Sequence, residues 1–558
     1  MIILPALTLL WIFSLEQGVY WQVQFFGFDL TFLRVDRLSK LFGYIFTLYA
    51  LTTSIYSYYL QDNRQHMAAL LYIGSALGVV FAGDLVSLYF YWEIMAVASV
   101  ILILARQSPK ASNAGFRYIL VHIVGGLCLL AGIVLYIGQT GQVGFEAISM
   151  HTLSTYLILI GILVNAAAPP FSAWLPDAYP ESTVTGSVIL SAFTTKTAVY
   201  TLIRGFPGWE ILIFVGCLMT IYGIFYALLE NDMRRILAYS IINQVGFMVT
   251  GVGIGTGMAL NGAAAHAFAH IIYKGLLFMS AGSVLYMTGK SKCTDLGGLY
   301  KTMPWTLLFG SVGALAISAF PLTSGFTTKS LIIESSVHQH LVWAWLVLEI
   351  ASAGVFLHAG IKFPYFVFFA KDKGLRPGET NWSMLIAMGF LAFLCFFIGV
   401  YPQPLYSILP YEMASYQAYT GAHLTGQLQL LMFSALVFFL FLPLLKRTDT
   451  ISLDTDWFYR IGGRLVYGIL DKGLNGLNVL CDVILMSVVK GLAGFCRDSV
   501  ARIALYFLVS YWLLVGVSGK RLEIKKSMVY SDILQGSLPI GIGAGLSAIF
   551  IVLIFVFH

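Results

Sequence analysis

Glu93, Lys196, His266, His270, Lys274, Lys329 and Lys362 all stand inside long apolar runs of this sequence. A charged side chain at the centre of a membrane helix costs about 2.5–3.5 kcal/mol on insertion scales. Residues of this kind therefore need a reason to be there, and the chemistry they share is proton exchange. Glu93 lies near the middle of "LYFYWEIMAVAS". It reads as a proton acceptor or as the partner of a nearby lysine, the alternative being a buried, hydrogen-bonded structural acid. Lys196 is about ten residues from either end of its run, too deep to snorkel easily to the interface. A lysine taken out of water can release its proton near neutral pH, and a carboxylate moving beside it restores the proton. His266, His270 and Lys274 sit in "HAFAHIIYKG". Their spacing of four and four puts them on one helical face, and histidines change charge near neutral pH. The stripe is a candidate proton wire with water between its rungs.

Lys329 ends a second hexapeptide, "SGFTTK", that echoes the "SAFTTK" ending at Lys196. In both, two threonines precede the lysine and can donate or accept hydrogen bonds and hold water. Lys362, in "HAGIKFPYF", is another deep lysine, and its alternative is packing against a carbonyl or a neighbouring protein of a complex. Glu334 and Glu349 lie nearer the outer end and are weaker candidates. A metal reading of the two histidines is disfavoured: Ala267 stands where an HExxH motif has glutamate, and no third ligand is evident. No sodium site is legible, because the deep acids are few and scattered.

The elements that must position these residues follow from composition. The chain has 558 residues, of which 59% are hydrophobic and 10% charged, against roughly 25% charged in a soluble domain. Apolar runs of about 20 residues, the length that spans a bilayer, recur from end to end. The expected class is an all-α polytopic membrane protein of about 16 transmembrane helices. The runs fall near 2–16, 38–60, 66–83, 85–105, 112–138, 152–177, 184–206, 209–229, 236–256, 259–287, 304–337, 342–370, 383–401, 427–445, 500–518 and 537–557. Two are expected to break, at Pro169-Pro170 and at Pro321 to Gly325, because proline removes a backbone donor and clashes with the preceding turn. Breaks survive in a bilayer where protein or a water-filled cavity satisfies the freed groups.

Arg64, Arg106 with Lys110, Arg234 with Arg235, Lys290 with Lys292, Lys371 with Lys373, and Lys446 with Arg447 fall in alternate loops. The positive-inside rule then puts these loops and the N-terminus in the cytoplasm, consistent with the inner membrane of a cell. Residues 456–498 mix charges with apolar residues at helical spacing and read as an amphipathic helix on the membrane or along neighbouring proteins. The alternative is that 474–496 crosses the bilayer. The first run, with no basic start or cleavage site, reads as a helix and not a signal peptide.

Cys128, Cys217, Cys293, Cys395, Cys481 and Cys496 are scattered, with no CxxC, which supports neither an iron–sulfur cluster nor a zinc site. The sequence contains no P-loop and no dinucleotide fingerprint. No cofactor, metal or covalent chemistry is expected, and the net charge of +6 fits a membrane surface and no nucleic acid.

Five motifs carry a family resemblance: "DLVSLYFYWEIM", "WLPDAYPESTVTGS", "NDMRRILAYSIINQVGFM", "HAFAHIIYKGLLFMSAGSV" and "SAFPLTSGFTTKSLI", in this order. Together they resemble the antiporter-like subunits of complex I and its relatives, most nearly the D-type subunits of the Mrp cation/proton antiporters, over about residues 30–445. The resemblance implies two inverted five-helix repeats, about 85–229 and 236–370, each with a broken helix. Residues 1–84 would be N-terminal helices, 371–447 peripheral helices, and 448–558 an amphipathic helix with a C-terminal anchor. It also implies that Glu93, Lys196, His266, His270, Lys274 and Lys329 line a central polar axis for protons, with Lys362 on the following helix. The partners implied are other membrane subunits, the lipid bilayer, and protons with Na+ or K+. On this reading the two "TTK" stretches are not equivalent: the first follows the helix after a break, the second lies in the broken helix itself.

Two positions depart from the family pattern. Asn165 stands where relatives usually carry the lysine that pairs with the helix glutamate, and asparagine cannot exchange a proton at physiological pH. Arg234 stands where lysine is common, and arginine holds its charge. The expected function is a proton-translocating subunit of a multisubunit cation/proton antiporter. The alternatives are a pump subunit of a complex I-like oxidoreductase or membrane-bound hydrogenase, and a scaffold subunit with a degenerate channel.

Overall fold

A computed structural model describes residues 2–25, 27–412, 416–443, 454–536 and 540–557. Lys446, Arg447 and the expected boundary at 447/448 lie outside the described residues. Two compact units are present, Met1–Asp456 and Trp457–His558.

In chain order the first unit contains α1 (Ile3–Ser14), β1 (Gly18–Phe25), β2 (Phe28–Val35), α2 (Arg37–Tyr56), α3 (Asn63–Phe81), α4 (Leu85–Leu104), α5 (Pro109–Thr140) and α6 (Leu153–Asn165). There follow α7 (Trp174–Ala178), α8 (Val184–Leu190), α9 (Thr194–Gly205), α10 (Ile211–Leu229), α11 (Met233–Ile254) and α12 (Gly257–Thr288). The unit ends with α13 (Pro304–Ile317), α14 (Ser324–His338), α15 (Val342–Val355), α16 (Trp382–Val400), α17 (Gln403–Tyr406) and α18 (Gly421–Leu440). The described chain is 76% helical, as the all-α polytopic class requires. Nine helices among the described residues are long and apolar enough to cross a membrane, with α1, α6 and α13 shorter. Breaks divide several of the runs read from the sequence, so uninterrupted spans are fewer than the sixteen or so runs.

An antiparallel hairpin at residues 18–35 was not expected. Its strands pair from Gly18 with Val35 to Phe25 with Phe28, and Gly27 turns the corner with φ +81°. The hairpin is tied to α4: Thr31 N donates to Asp84 Oδ2 at 2.7 Å, while Asp84 Oδ1 caps the helix through Ser87 N at 2.7 Å. Asp84 thus fixes the start of the helix that carries Glu93.

The break after α6 is where Pro169-Pro170 placed it, and the peptide bond between these prolines is cis. The break between α13 and α14 is also where the sequence placed it. Here Ala319 and Leu322 have positive φ, and a Cβ on Gly325 would collide with Ala316 O. Only glycine lets α14 begin so close to the end of α13. A third break was missed. The run 184–206, read as one span, stops at Leu190 and restarts at Thr194.

Charged anchors hold the loops that bear the motifs. Arg117 grips Asp177 with two hydrogen bonds of 2.7 and 2.9 Å. Trp174 Nε1 donates to Val164 O, which ties α7 back to the end of α6. Arg234 on α11 is buried and donates to the carbonyls of Tyr179, Pro180, Ser182 and Thr183. This explains an arginine where lysine is the common residue: its planar fork of donors clamps a turn of backbone. α11 and α12 are almost wholly buried and form the centre against which the other helices pack.

The second unit contains most of α19 (Asp456–Leu514), with α20 (Lys520–Gly536) and α21 (Ile540–Phe557). The expected amphipathic segment 456–498 and the separate span 500–518 are one helix of 59 residues, about 88 Å long at 1.5 Å per residue. No proline interrupts it. Its apolar residues, such as Leu474, Leu477 and Val483, are exposed within the described chain.

Candidate proton-transfer axis

Each hexapeptide singled out in the sequence starts a helix after a break. Lys196 is the third residue of α9, and Lys329 the sixth of α14. The inequivalence expected of them is corrected in this respect: both lysines stand on the second half of a divided helix. The reason is local, since unwinding leaves backbone carbonyls and threonine hydroxyls near the amine.

The two ammonium groups are nevertheless held differently. Lys196 is fully buried and donates to Ser191 O at 2.7 Å, a carbonyl of its own break, and to Thr195 Oγ1 at 3.1 Å. Lys329 is equally buried, but its Nζ has no hydrogen-bond partner among the described residues. It stands 5.4 Å from the centre of the Phe247 ring and lines a cavity of about 400 Å³ with Glu334, Glu349, Tyr416, His423 and Gln427.

Between the lysines runs the face of α12 bearing His266, His270 and Lys274, all fully buried. His266 is bonded on both nitrogens, Nδ1 to Thr328 Oγ1 at 3.1 Å and Nε2 to Gln244 Oε1 at 3.0 Å. Tyr273 donates to the same Gln244 oxygen at 3.0 Å. Gln244 Nε2 donates in turn to Asn243 Oδ1 at 2.6 Å. His266 thereby joins α11, α12 and the threonine that precedes Lys329. His270 has neither nitrogen bonded, and Lys274 Nζ is also unbonded among the described residues. Lys196 and Lys274 interact electrostatically with His270, and Lys196 and Lys329 with His266. Electrostatic interaction thus links α9, α12 and α14, and the Gln244 hydrogen bond joins α11 to them.

Glu93 is half-buried on α4, with Oε1 against Gly126 of α5, and its carboxyl interacts with Tyr89 one turn earlier. No hydrogen bond or ion pair joins it to Lys196 among the described residues. Asn165, the departure noted in the sequence, accepts at Oδ1 from His122 Nδ1 at 2.8 Å. Lys362 stands apart. Its ammonium donates to the carbonyls of Ala227, Leu228 and Glu230 at 3.1, 2.6 and 2.6 Å, capping the end of α10. Cations at a helix C-terminus satisfy its free carbonyls, which matches the carbonyl-packing alternative for this lysine.

Gln244, Tyr273 and His122 were not singled out from the sequence. Gln244 carried a signal: an amide pair, "NQ", inside a helix with no polar face. His122 carried a weaker one, a lone histidine in "YILVHIVGG". Among the described residues no cluster of three or more potential metal ligands occurs.

Residues 82–355 match the family model described as NADH:quinone oxidoreductase/Mrp antiporter, transmembrane. The chain is 28% identical over 400 residues to a probable K(+)/H(+) antiporter subunit of Rhizobium meliloti, covering 66% of this chain and 40% of that protein. It is 27% identical over 420 residues to hydrogenase-4 component B of Escherichia coli, covering 67% and 62%. The chain thus spans less than two thirds of the length of these curated relatives. In fold it is similar to a chain of the Mrp complex from Dietzia sp., with a TM-score of 0.67 at 20% identity, covering 78% of this chain and 92% of that one. The chain is a multi-pass membrane protein whose residues 82–355 match the transmembrane region of the NADH:quinone oxidoreductase/Mrp antiporter family.

Proposed function

We propose that this protein is the proton-translocating subunit of a multisubunit Na+ or K+/proton antiporter in the inner membrane, with its N-terminus in the cytoplasm. The observation that carries the reading is the buried series Lys196, His270, Lys274, His266 and Lys329. It ends in a cavity shared with two carboxylates. Lys196, His270 and Lys274 relay the proton, Lys329 delivers it to the cavity, and Glu93 accepts it at the other end. Lys196 gives up its proton more readily when Ser191 O and Thr195 turn away. Lys329 exchanges with water in the cavity, since nothing else among the described residues bonds it. The positive residues of alternate loops support the orientation. The apolar exposure of α19 fits a helix covered by lipid or by other membrane subunits. The two inverted repeats, about 85–229 and 236–370, fit the placement of a divided helix in each.

Likeness to hydrogenase-4 component B favours a second reading, in which an electron-carrying partner drives the same proton path. One experiment separates them. The native complex is placed in everted vesicles, and dissipation of a pH gradient is followed on adding Na+ or K+, with electron donors tested separately. The antiporter reading expects cation-dependent proton movement that Lys329→Ala abolishes while the complex stays assembled. Proton movement that requires a donor transfers the assignment to the redox complex. Normal transport by Lys329→Ala would overturn the axis.

A further inference from the structure

His122 takes no part in the axis described above, yet it is built like a proton carrier. It stands in the middle of α5 and is 3% exposed. Its Nδ1 faces an amide oxygen, Asn165 Oδ1, which can only accept. Nδ1 therefore holds a hydrogen, and Nε2 is left with the free electron pair. Nε2 is buried without a hydrogen-bond partner among the described residues, and so is the neighbouring Asn165 Nδ2. Buried polar atoms in folded proteins nearly always have partners. Two orphans on one hydrogen-bonded pair mark a place where a proton or a water is received.

A donor stands close by. A Cβ on Gly126 would overlap Glu93 Oε1, so this glycine is the slot in α5 that admits the carboxylate. His122 and Gly126 are four residues apart and share a helical face. Glu93 therefore meets α5 one turn from His122, and its Oε1 is also buried and unbonded among the described residues. The remaining wall is aromatic: the Tyr118 and Trp174 rings lie 4.1 and 4.7 Å from the imidazole. Tyr118 bonds Ser99 at 2.8 Å. Thr194, two residues before Lys196, shares a hydrogen bond of 2.6 Å with the Tyr72 hydroxyl, and the Tyr118 and Tyr179 hydroxyls belong to the same buried cluster.

We propose that His122 is the proton-exchanging partner of Glu93 in the first half of the molecule. Asn165 holds its ring, and the proton passes on toward Lys196. The proton leaves the Glu93 carboxyl and binds the free pair of Nε2, giving an imidazolium that keeps its Nδ1–H on Asn165. It then leaves Nε2 for a neutral Lys196 by way of the hydroxyls around Thr194. Only N–H and O–H bonds form and break. The inference rests on the proton-translocating reading, and it gives the first half a titratable group at the place where Asn165 removes one.

The test uses the assembled complex in everted vesicles with two variants, and Lys329→Ala as the control. His122→Gln keeps a polar side chain that cannot be protonated, and its transport is expected to fall at least tenfold with the complex assembled. Asn165→Asp is isosteric and sets a carboxylate 2.8 Å from Nδ1. An opposite charge at that distance favours the charged imidazole, so the pH–rate profile is expected to move up by about one unit or more. A merely structural histidine would leave the profile in place. Transport within twofold of wild type in an assembled His122→Gln complex overturns the proposal. So does an unshifted profile in Asn165→Asp, which decides the matter alone if the glutamine variant does not assemble. If Lys329→Ala also transports normally, the axis itself has failed, and not His122 alone. If wild type needs an electron donor, the same variants are read in the donor-driven assay.

Discussion

Lys196 and Lys329 follow the same two threonines after the same kind of helix break, yet one amine is closed and the other open. Lys196 is tied to Ser191 O and Thr195. Lys329 has no hydrogen bond among the described residues and faces a cavity of about 400 Å³. The break near Lys196 folds back on its own amine, whereas the break near Lys329 is filled by backbone and by Gly325, leaving the amine free. On the proposed proton-transfer reading, the same hexapeptide chemistry serves as a lock at Lys196 and as a port at Lys329. A carbonyl that accepts from a buried ammonium favours the charged form, so the proton leaves more readily when that carbonyl turns away. A buried amine beside a cavity needs only water.

Arg234 clamps the turn between α7 and α8, next to the first lysine's helix. Replacing it by alanine strips donors from several buried carbonyls at about 1–3 kcal/mol each. The expected outcome is loss of the assembled complex, read by its yield on native gels. Arg234→Lys is expected to recover part of it, because an ammonium reaches some but not all of the four carbonyls.

The central contrast is sharpened by replacing each lysine with methionine, which keeps length and loses charge. Both variants are expected to lose transport. Their stabilities should diverge. Lys196→Met orphans Ser191 O, with a cost of about 1–3 kcal/mol and a lower melting temperature in detergent. Lys329→Met orphans no hydrogen bond and is expected to melt at or above the wild-type temperature. Equal melting temperatures would erase the distinction between lock and port.

A smaller change probes the entrance to the first half. Gly126→Ala puts a methyl group where Glu93 Oε1 lies. Overpacking of this kind costs about 1–3 kcal/mol, and displacement of the carboxylate is expected to slow transport about tenfold with the fold retained. Transport unchanged in this variant would remove Glu93 from the path.

The smallest effect is expected outside the membrane. Hydrogen bonds from Arg376 and from the backbone of Gly374 hold Asp372 well below the usual carboxylate range. A depressed folded value means that this contact contributes above the ordinary aspartate range near 4 and is lost only as pH falls through the lowered value. Asp372→Asn should therefore leave the pH–rate profile unmoved between about pH 6 and 9. A shifted profile would show that loop charges, and not the buried axis, set it.

Much of the proposed axis was legible in the sequence because charge inside an apolar run is costly and therefore conspicuous. Glu93, Lys196, His266, His270, Lys274 and Lys329 were found this way. Gln244 and Tyr273 were not, since neutral polar groups carry a far smaller penalty and look like packing residues. Lys362 was found by the same rule, but three carbonyls at the end of α10 account for its burial. A penalty reveals that a partner must exist and does not reveal which partner it is.

By itself the sequence determined the membrane class, the apolar runs and the breaks at Pro169-Pro170 and Pro321 to Gly325. These depend on hydropathy and on proline's missing donor, both properties of residues in order along the chain. Tertiary structure alone decided the break after Leu190, the pairing of His122 with Asn165, the clamp of Arg234 and the open cavity beside Lys329. Each depends on which carbonyl, amide or glycine a neighbouring helix presents, and no spacing along one chain segment records that.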